Sequence, residues 1–244
     1  MRSIQFYLSL ILFLTIGSVQ AKQCEVNKDL LSAKYEITIT NKSNGKKQKN
    51  HLTVWRNGNQ VAHELENSNI TEIWQKTPKN RVMLMRHFEQ QKRGIEYQPT
   101  EIKTKNHGEL WQQKTQIVSD HVLDHFTKVK TSGNNCDTVF HFQDSNQKVN
   151  QTKLEWLKEL NLLKNYQEES ETKSMQWNLV SIEYNKSQIE TFFNQRDRYQ
   201  TTDYADIGDN ESDPFLLKMI NLGFIEHGSS GFYDAAGNHL AHSH

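Results

Sequence analysis

The sequence predicts a mainly β protein of the α+β class, in which a curved antiparallel sheet or half-barrel is covered by a few helices and followed by a C-terminal helix–turn appendage. Three observations predict this fold. Short stretches alternate apolar and polar residues, Asn- and Gly-containing turns separate them, and a period near 3.6 is confined to a few segments. We expect one half-barrel domain over residues 22–195, then an acidic, helical appendage with a His-rich tail over residues 196–244.

Residues 1–21 have the features of a secretory signal peptide. Arg2 gives a positive start, the run Phe6–Gly17 is apolar, and Val19–Ala21 is a small-x-small cleavage pattern. A transmembrane helix would need about 20 apolar residues, so an uncleaved anchor is the less favoured alternative. The sequence predicts cleavage after Ala21 and export to the periplasm, without a transmembrane anchor.

The chain contains two cysteines, Cys24 and Cys136. In an oxidising compartment such a pair most simply forms one disulfide. Closing a loop of about 110 residues would add on the order of 4 kcal/mol of stability in the chain-entropy model. A reactive thiol pair is the alternative, but the sequence has no C-x-x-C motif, so a structural disulfide between Cys24 and Cys136 is predicted.

The charge balance excludes one class of partner. The chain has 29 basic and 29 acidic residues, whereas a nucleic-acid-binding protein would carry a basic field. Five Trp and eleven Phe residues are enough to build a hydrophobic core. We therefore predict a globular protein that does not bind nucleic acid.

The first half of the chain has the pattern of an antiparallel meander. Ala33–Thr40 alternates apolar and polar side chains, and Asn57-Gly58 is a strong hairpin signal between two strand-like stretches. Further strands are predicted over Ile70–Lys76, Arg81–Phe88 and Gly94–Pro99.

Beyond residue 110 the pattern is mixed. Leu110–Val129 approaches a 3.6-residue period and predicts a helix over most of its length. The segment 151–184 permits either a helix through Leu154, Leu157 and Leu160 or three strands, of which the strands are favoured. Ser187 with Glu190 has the spacing of a capping box that opens a helix.

The order of these elements resembles the periplasmic lipoprotein-carrier proteins of the LolA/LolB type. The resemblance covers residues 33–193 and is carried by "LTVWRNGNQVAHE", "RVMLMRHF", "VFHFQD" and "MQWNLVSIEY". It implies a half-barrel closed by helices over an apolar cavity. The family's proline after its "W…L" strand is absent, since "LNLLKNY" stands there, and the opening helix of the family is lacking.

The favoured function is that of a non-enzymatic binding or carrier protein for a lipid or acyl chain. The residues expected to contact this ligand are the large apolar side chains of the presumed concave strands: Trp55, Trp74, Met83, Met85, Phe88 and Trp177. Arg81, Arg86 and Arg93 are expected to form exposed cross-strand ion pairs. Contact with an anion or lipid headgroup is the alternative for these arginines.

The stretch "TDYADIGDNESDPF" is acidic and leaves two interpretations open. Ser212 or Asp213 as N-cap, Pro214 in the first turn and Gly223 after the last turn predict a capped helix. Asp209, Glu211 and Asp213 alternate, which permits an oxygen cage for Ca²⁺. Because the cap explains the second half of the stretch, the metal ligands are expected upstream, at Asp203, Asp206 and Asp209.

Two histidine groups are weaker metal candidates. His121 and His125 have the i, i+4 spacing that places two rings on one helix face, and the tail holds His239, His242 and His244, which could bind Zn²⁺ or Cu²⁺. A metal-binding protein or metal-dependent enzyme is therefore the second hypothesis, although no cofactor is predicted by the favoured one. A third is a scaffold for an envelope complex that docks another protein through Phe215–Tyr233.

Overall fold

The computed structural model describes residues 26–144, 151–208, 212–223, 232–233 and 239–240. Its main feature is one open, curved sheet of twelve strands, which confirms the predicted mainly β, α+β fold. The strands of the sheet are β1 (Leu30–Asn41), β2 (Lys47–Asn57), β3 (Gln60–Leu65), β4 (Ile70–Lys76), β5 (Val82–Phe88), β6 (Arg93–Tyr97), β7 (Phe126–Ser132), β8 (Val139–Asp144), β9 (Gln151–Leu157), β10 (Leu162–Glu169), β11 (Lys173–Glu183) and β12 (Gln200–Asp203).

Helices are few and short. They are α1 (His107–Gln116), α2 (Asp120–Leu123), α3 (Lys186–Arg196) and α4 (Pro214–Asn221), with single 3₁₀ turns at Glu66–Ser68, Asn135–Asp137 and Tyr204–Asp206. Two further strands, β13 (Phe232–Tyr233) and β14 (His239–Leu240), pair with each other outside the main sheet. Among the described residues, no helix is long and apolar enough to span a membrane.

The sheet is built from two meanders that meet at β1. Strands β2 to β6 follow one another on one side of β1, and β11 back to β7 follow on the other. Neighbouring strands are antiparallel except β12, which lies parallel to β6 at one edge. Residues beyond 195 therefore contribute a strand to the sheet.

The hairpin prediction is confirmed at β2 and β3. Gly58 has a φ of 62°, a conformation that glycine adopts without steric cost, and Asn57 pairs with Gln60 across the turn. The prediction of three strands between residues 151 and 184 is also confirmed, as β9, β10 and β11.

The two faces of the sheet are covered differently. One face carries the main core, including Val61, Trp74 and Leu84, and is covered by α1, α2 and α4; we call it the cavity face. The opposite face carries a smaller cluster around Trp55 and Ile73, on which α3 packs; we call it the α3 face.

The single helix predicted over Leu110–Val129 is wrong in its second half. The chain leaves α1 at Ile117, whose φ of 74° cannot continue a helix, and α2 starts again after Ser119. From Phe126 onward the segment is the edge strand β7, paired with β8. Its backbone hydrogen bonds are made with β8, the next strand of the chain, and the helical spacing of the valines did not reveal that pairing.

The predicted starts of the last two helices have different outcomes. At α3 the cap is Asn185, which accepts a hydrogen bond from the Gln188 amide, and not Ser187, which lies inside the helix. At α4 the cap is Asp213, which accepts from the Phe215 amide at 2.8 Å, with Pro214 first in the helix. Gly223 follows with a φ of 72°, as predicted.

Candidate ligand-binding site

A cavity of about 210 Å³ lies between the cavity face of the sheet and the segment that contains α1 and α2. Strands β3, β4, β10 and β11 form its floor. Most of its lining is apolar, and the apolar lining residues are Leu65, Ile117, Val118, Val122, Leu163, Met175 and Trp177. Polar side chains also line it: His63, Glu72, Gln113, Lys114, Ser119 and Tyr166.

Helix α1 is capped at its start and held over the sheet by polar contacts at its end. At its start, the Asn106 side chain accepts hydrogen bonds from the amides of Gly108 and Glu109. At its end, where helical carbonyls lack partners, two side chains from the sheet act as donors. His63 Nε2 lies 2.6 Å from the Lys114 carbonyl, and Arg56 donates to the Thr115 carbonyl at 2.6 and 2.9 Å.

Arg56 joins three distant parts of the chain. Its side chain is buried and donates, besides the Thr115 contacts, to the carbonyls of Lys28, Leu160 and Asn161 at 2.7 to 2.9 Å. Burial lowers the pKa of Arg56 to about 10, so the guanidinium is still charged at neutral pH. It therefore fixes α1, the β9–β10 turn and the start of β1 to one another.

A row of charged and polar side chains crosses the cavity face in register. His63, Glu72 and Arg86 stand opposite one another on β3, β4 and β5. Arg86 donates to Glu72 Oε1 through Nη2 at 2.8 Å and Nε at 3.1 Å. Lys114 approaches from α1, with its Nζ 3.9 Å from Glu72 Oε2 and 4.4 Å from the centre of the Trp74 ring.

The protonation of this row follows from burial and charge together. Burial acts to raise the pKa of Glu72, but the charges of Arg86 and Lys114 outweigh it and lower that pKa, so Glu72 is a carboxylate. Burial, with the Lys114 charge, lowers the pKa of His63 to about 4. His63 is therefore neutral at pH 7 and donates from Nε2, since a carbonyl only accepts.

The pKa of Lys114 is subject to opposing effects. Burial lowers its pKa, Glu72 raises it and Arg86 lowers it. When Lys114 is protonated, this end of the cavity holds two cations, Arg86 and Lys114, beside one anion, Glu72.

The six residues predicted to contact a ligand do not lie on one surface. Trp177 lines the cavity. Trp74 is buried beneath Lys114, and Phe88 packs edge-on against Phe215 with ring centres 5.3 Å apart. The other three, Trp55, Met83 and Met85, lie on the α3 face: Trp55 stacks on α3, and both methionines border a small hollow of about 50 Å³.

The sequence prediction missed Glu72 and His63 and the lining residues supplied by α1 and α2. A signal for the first two was present. On three consecutive strands, one polar residue stands between apolar residues of the inward alternation: His63 in "VAHEL", Glu72 in "ITEIW" and Arg86 in "VMLMRHF". The exposed ion pairs expected for Arg86 are instead a buried one, with both side chains only 3–4% exposed.

The proposed metal ligands are not gathered in the described residues. There, no group of three His, Cys, Asp or Glu side chains could hold a metal ion. Asp203 accepts a hydrogen bond from the Ala205 amide at 3.0 Å and so caps a 3₁₀ turn. Since Asp209 and most of the His-rich tail lie outside the described residues, the metal sites stay predictions.

Two other predictions also fall partly outside the described residues. Residues 1–25 contain the signal peptide and Cys24, so neither cleavage nor the disulfide is tested, although no described cysteine is free. The docking role of Phe215–Tyr233 also stays a prediction. In its described part, Leu216 and Met219 are buried whereas Leu217 and Ile220 are exposed.

No protein-family model matches the chain, and no curated protein matches it. Solved structures do. They include a LolA superfamily protein from Nitrosomonas europaea, at a TM-score of 0.27 and 6% identity over 66% of this chain and 88% of the other. An outer membrane lipoprotein-sorting protein domain from Vibrio parahaemolyticus matches at a TM-score of 0.32 and 7% identity, over 69% and 92%.

A DUF1329 family protein from Desulfovibrio piger matches at a TM-score of 0.33 and 6% identity, over 64% of this chain and 86% of the other. The family that the sequence resembles is thus represented among the similar structures. At these TM-scores the likenesses carry no conclusion about function, and the proposals below rest on the geometry of the cavity.

Proposed function

We propose that this protein is an exported, non-enzymatic binding or carrier protein that holds an apolar, lipid-like ligand in the cavity beneath α1 and α2. The observation that carries the proposal is the lining. Apolar side chains from three strands, the turn between α1 and α2, and α2 enclose the space, and the charged lining residues Glu72 and Lys114 lie together. Sites for small ligands commonly have mainly apolar walls with a few placed polar groups.

The cavity has the sheet on one side and a short helical cover on the other. The floor is formed by the sheet, where Leu163 and Trp177 are buried. The cover is formed by the end of α1, the turn at Ile117 and the four residues of α2. Val122 on this cover is 43% exposed, so the cavity meets solvent there. We propose this edge as the route by which an apolar chain enters.

Export to the periplasm rests on a separate observation, the signal peptide pattern of residues 1–21. An apolar ligand needs shelter from water in such an aqueous compartment, because exposed hydrocarbon costs about 25 cal/mol per Å². A cavity in an exported protein would supply that shelter.

The test is displacement of a neutral, apolar fluorescent probe, N-phenyl-1-naphthylamine, from delipidated mature protein. We expect saturable probe fluorescence that a long-chain alcohol displaces. Val118→Trp should abolish it, because the indole would fill the space that Val118 borders. Val180→Trp is the matched control, since Val180 is 61% exposed on β11. Absence of saturable binding, or binding that Val118→Trp leaves unchanged, would overturn the proposal.

A further inference from the structure

We propose that the ligand of this cavity is a single-chain amphiphile with one carboxylate, and that the Lys114 ammonium binds that carboxylate. This inference rests on the proposed function, because it assigns the polar end of the same cavity. The juxtaposition is specific: a buried lysine lines a mostly apolar cavity at its charged end.

The hydrogen-bonding capacity of Lys114 is unused. Its distance of 3.9 Å to Glu72 Oε2 is longer than a hydrogen bond. Its other contact is the face of the Trp74 ring. Among the described residues its ammonium donates no hydrogen bond, although the residue is only 9% exposed. An acceptor that enters the cavity would supply the hydrogen bonds that Glu72, at 3.9 Å, does not.

Glu72 is shared with Arg86. Arg86 donates from Nη2 and Nε to Glu72 Oε1 at 2.8 and 3.1 Å, so that Oε2 is the oxygen nearer to Lys114. His63 is also occupied, through the Lys114 carbonyl. Arg86 and Lys114 therefore share the one carboxylate of Glu72.

One negative charge fits this balance. A carboxylate would neutralise the net charge of the row and accept charge-assisted hydrogen bonds from the ammonium. A doubly charged phosphate would exceed that balance and bring a second negative charge close to Glu72. Gln113 and Ser119 also line the cavity. Because their side chains are uncharged, they do not repel an anion.

The size of the cavity indicates one chain. Its volume of about 210 Å³ lies below the roughly 300–1,000 Å³ of sites that bury a drug-sized ligand. The apolar walls include Val118, Met175 and Val122, of which Val122 is partly exposed. A single acyl chain would lie along them with its carboxylate inside, and a ligand with several chains would leave most of its hydrocarbon outside.

The experiment compares dodecanoic acid with dodecanol, which has the same chain without the charge. Each ligand displaces the neutral probe from the mature protein at pH 8. We expect the acid to bind at least tenfold more tightly than the alcohol. In Lys114→Met this preference should fall to within twofold. Lys105→Met, at an exposed lysine just before α1, should keep the preference.

The outcomes separate this inference from the proposed function. Equal affinities of acid and alcohol for the unaltered protein would overturn the carboxylate assignment and leave the apolar site intact. Failure of both ligands to displace the probe would remove both proposals. A preference that survives in Lys114→Met would also overturn the assignment. If Lys114→Met does not fold, Lys114→Gln replaces it, and the comparison in the unaltered protein decides by itself.

Discussion

The two faces of the sheet hold their helices in opposite ways. On the α3 face, Phe192 stacks on Trp55 with ring centres 4.1 Å apart and planes 14° from parallel, and Ile189 and Phe193 are almost completely buried. On the cavity face, α1 is held by its last carbonyls, through His63 and Arg56. Dense side-chain packing leaves little space under α3, whereas attachment by the helix end leaves a cavity under α1 and α2.

Buried cations on the two faces differ accordingly. Arg196 of α3 donates to Glu89 at 2.7 Å and lies 3.6 Å from the centre of the Phe192 ring, so its charge is compensated by the protein. Lys114 of α1 keeps its nearest carboxylate at 3.9 Å. We infer that the α3 face is structural and that the cavity face exchanges some stability for a binding site.

The largest effect is expected for Arg56→Met, which removes the clamp on α1. Four carbonyls, of which the Leu160 carbonyl is the buried one, would lose their donor, at about 1 kcal/mol each. We expect the free energy of unfolding to fall by about 4 kcal/mol, measured by guanidinium denaturation. Arg198→Met, at an exposed arginine after α3, should change it by less than about 0.5 kcal/mol. If the free energy of unfolding of Arg56→Met fell by equally little, water would be replacing the hydrogen bonds that Arg56 donates.

A second test removes the packing under α3. Phe192→Ala should lower the free energy of unfolding by about 3 kcal/mol, because it leaves a cavity beside Trp55. Probe binding should not change, since Phe192 lies on the other side of the sheet. Phe140→Ala, a half-buried phenylalanine of β8, is the matched control and should cost about 1 kcal/mol. Loss of probe binding in Phe192→Ala alone would contradict the separation of the two faces.

A third prediction concerns pH, because each face buries one histidine. Burial lowers the pKa of His63 and of His87 to about 4 from 6.5. Between these values the unfolded chain binds more protons than the folded protein, so stability is full above pH 6.5 and falls as the pH drops towards 4. Each histidine should contribute a slope of up to about 1.4 kcal/mol per pH unit.

The same titration distinguishes the faces. Denaturation at several pH values should show the slope reduced in His63→Gln and, separately, in His87→Gln. When dodecanoate is bound, the contribution of His63 to the pH slope of the unfolding free energy should change, whereas the contribution of His87 should not. An unchanged slope in either variant would show that the histidine concerned is not buried neutral in solution.

The sequence was sufficient wherever the signal is local. Val82, Leu84 and Arg86 alternate against Met83 and Met85 as expected, and Asp213 with Pro214 starts α4 as its cap chemistry requires. Edge strand β7 was not predicted because its side chains are almost all exposed, so its sequence lacks the alternation of buried and exposed residues.

An apolar cavity was expected from the resemblance, but most of the residues that build it could not be predicted because its construction is long-range. The carbonyls that Arg56 binds come from residues 28, 115, 160 and 161. No sequence window contains them together. Trp55 was expected at the ligand because the alternation of β2 does not reveal that α3 covers its outer face.

The smallest expected effect is at the solvent edge of the cavity. Val122→Ala should change the free energy of unfolding by less than about 0.5 kcal/mol, since Val122 is 43% exposed. It should weaken binding of the neutral probe by about fourfold, the loss expected for roughly one buried CH₂ group. Leu217→Ala on α4, 44% exposed, is the matched control and should leave binding unchanged. If Leu217→Ala weakened binding and Val122→Ala did not, the apolar ligand would lie on α4 instead of beneath α2.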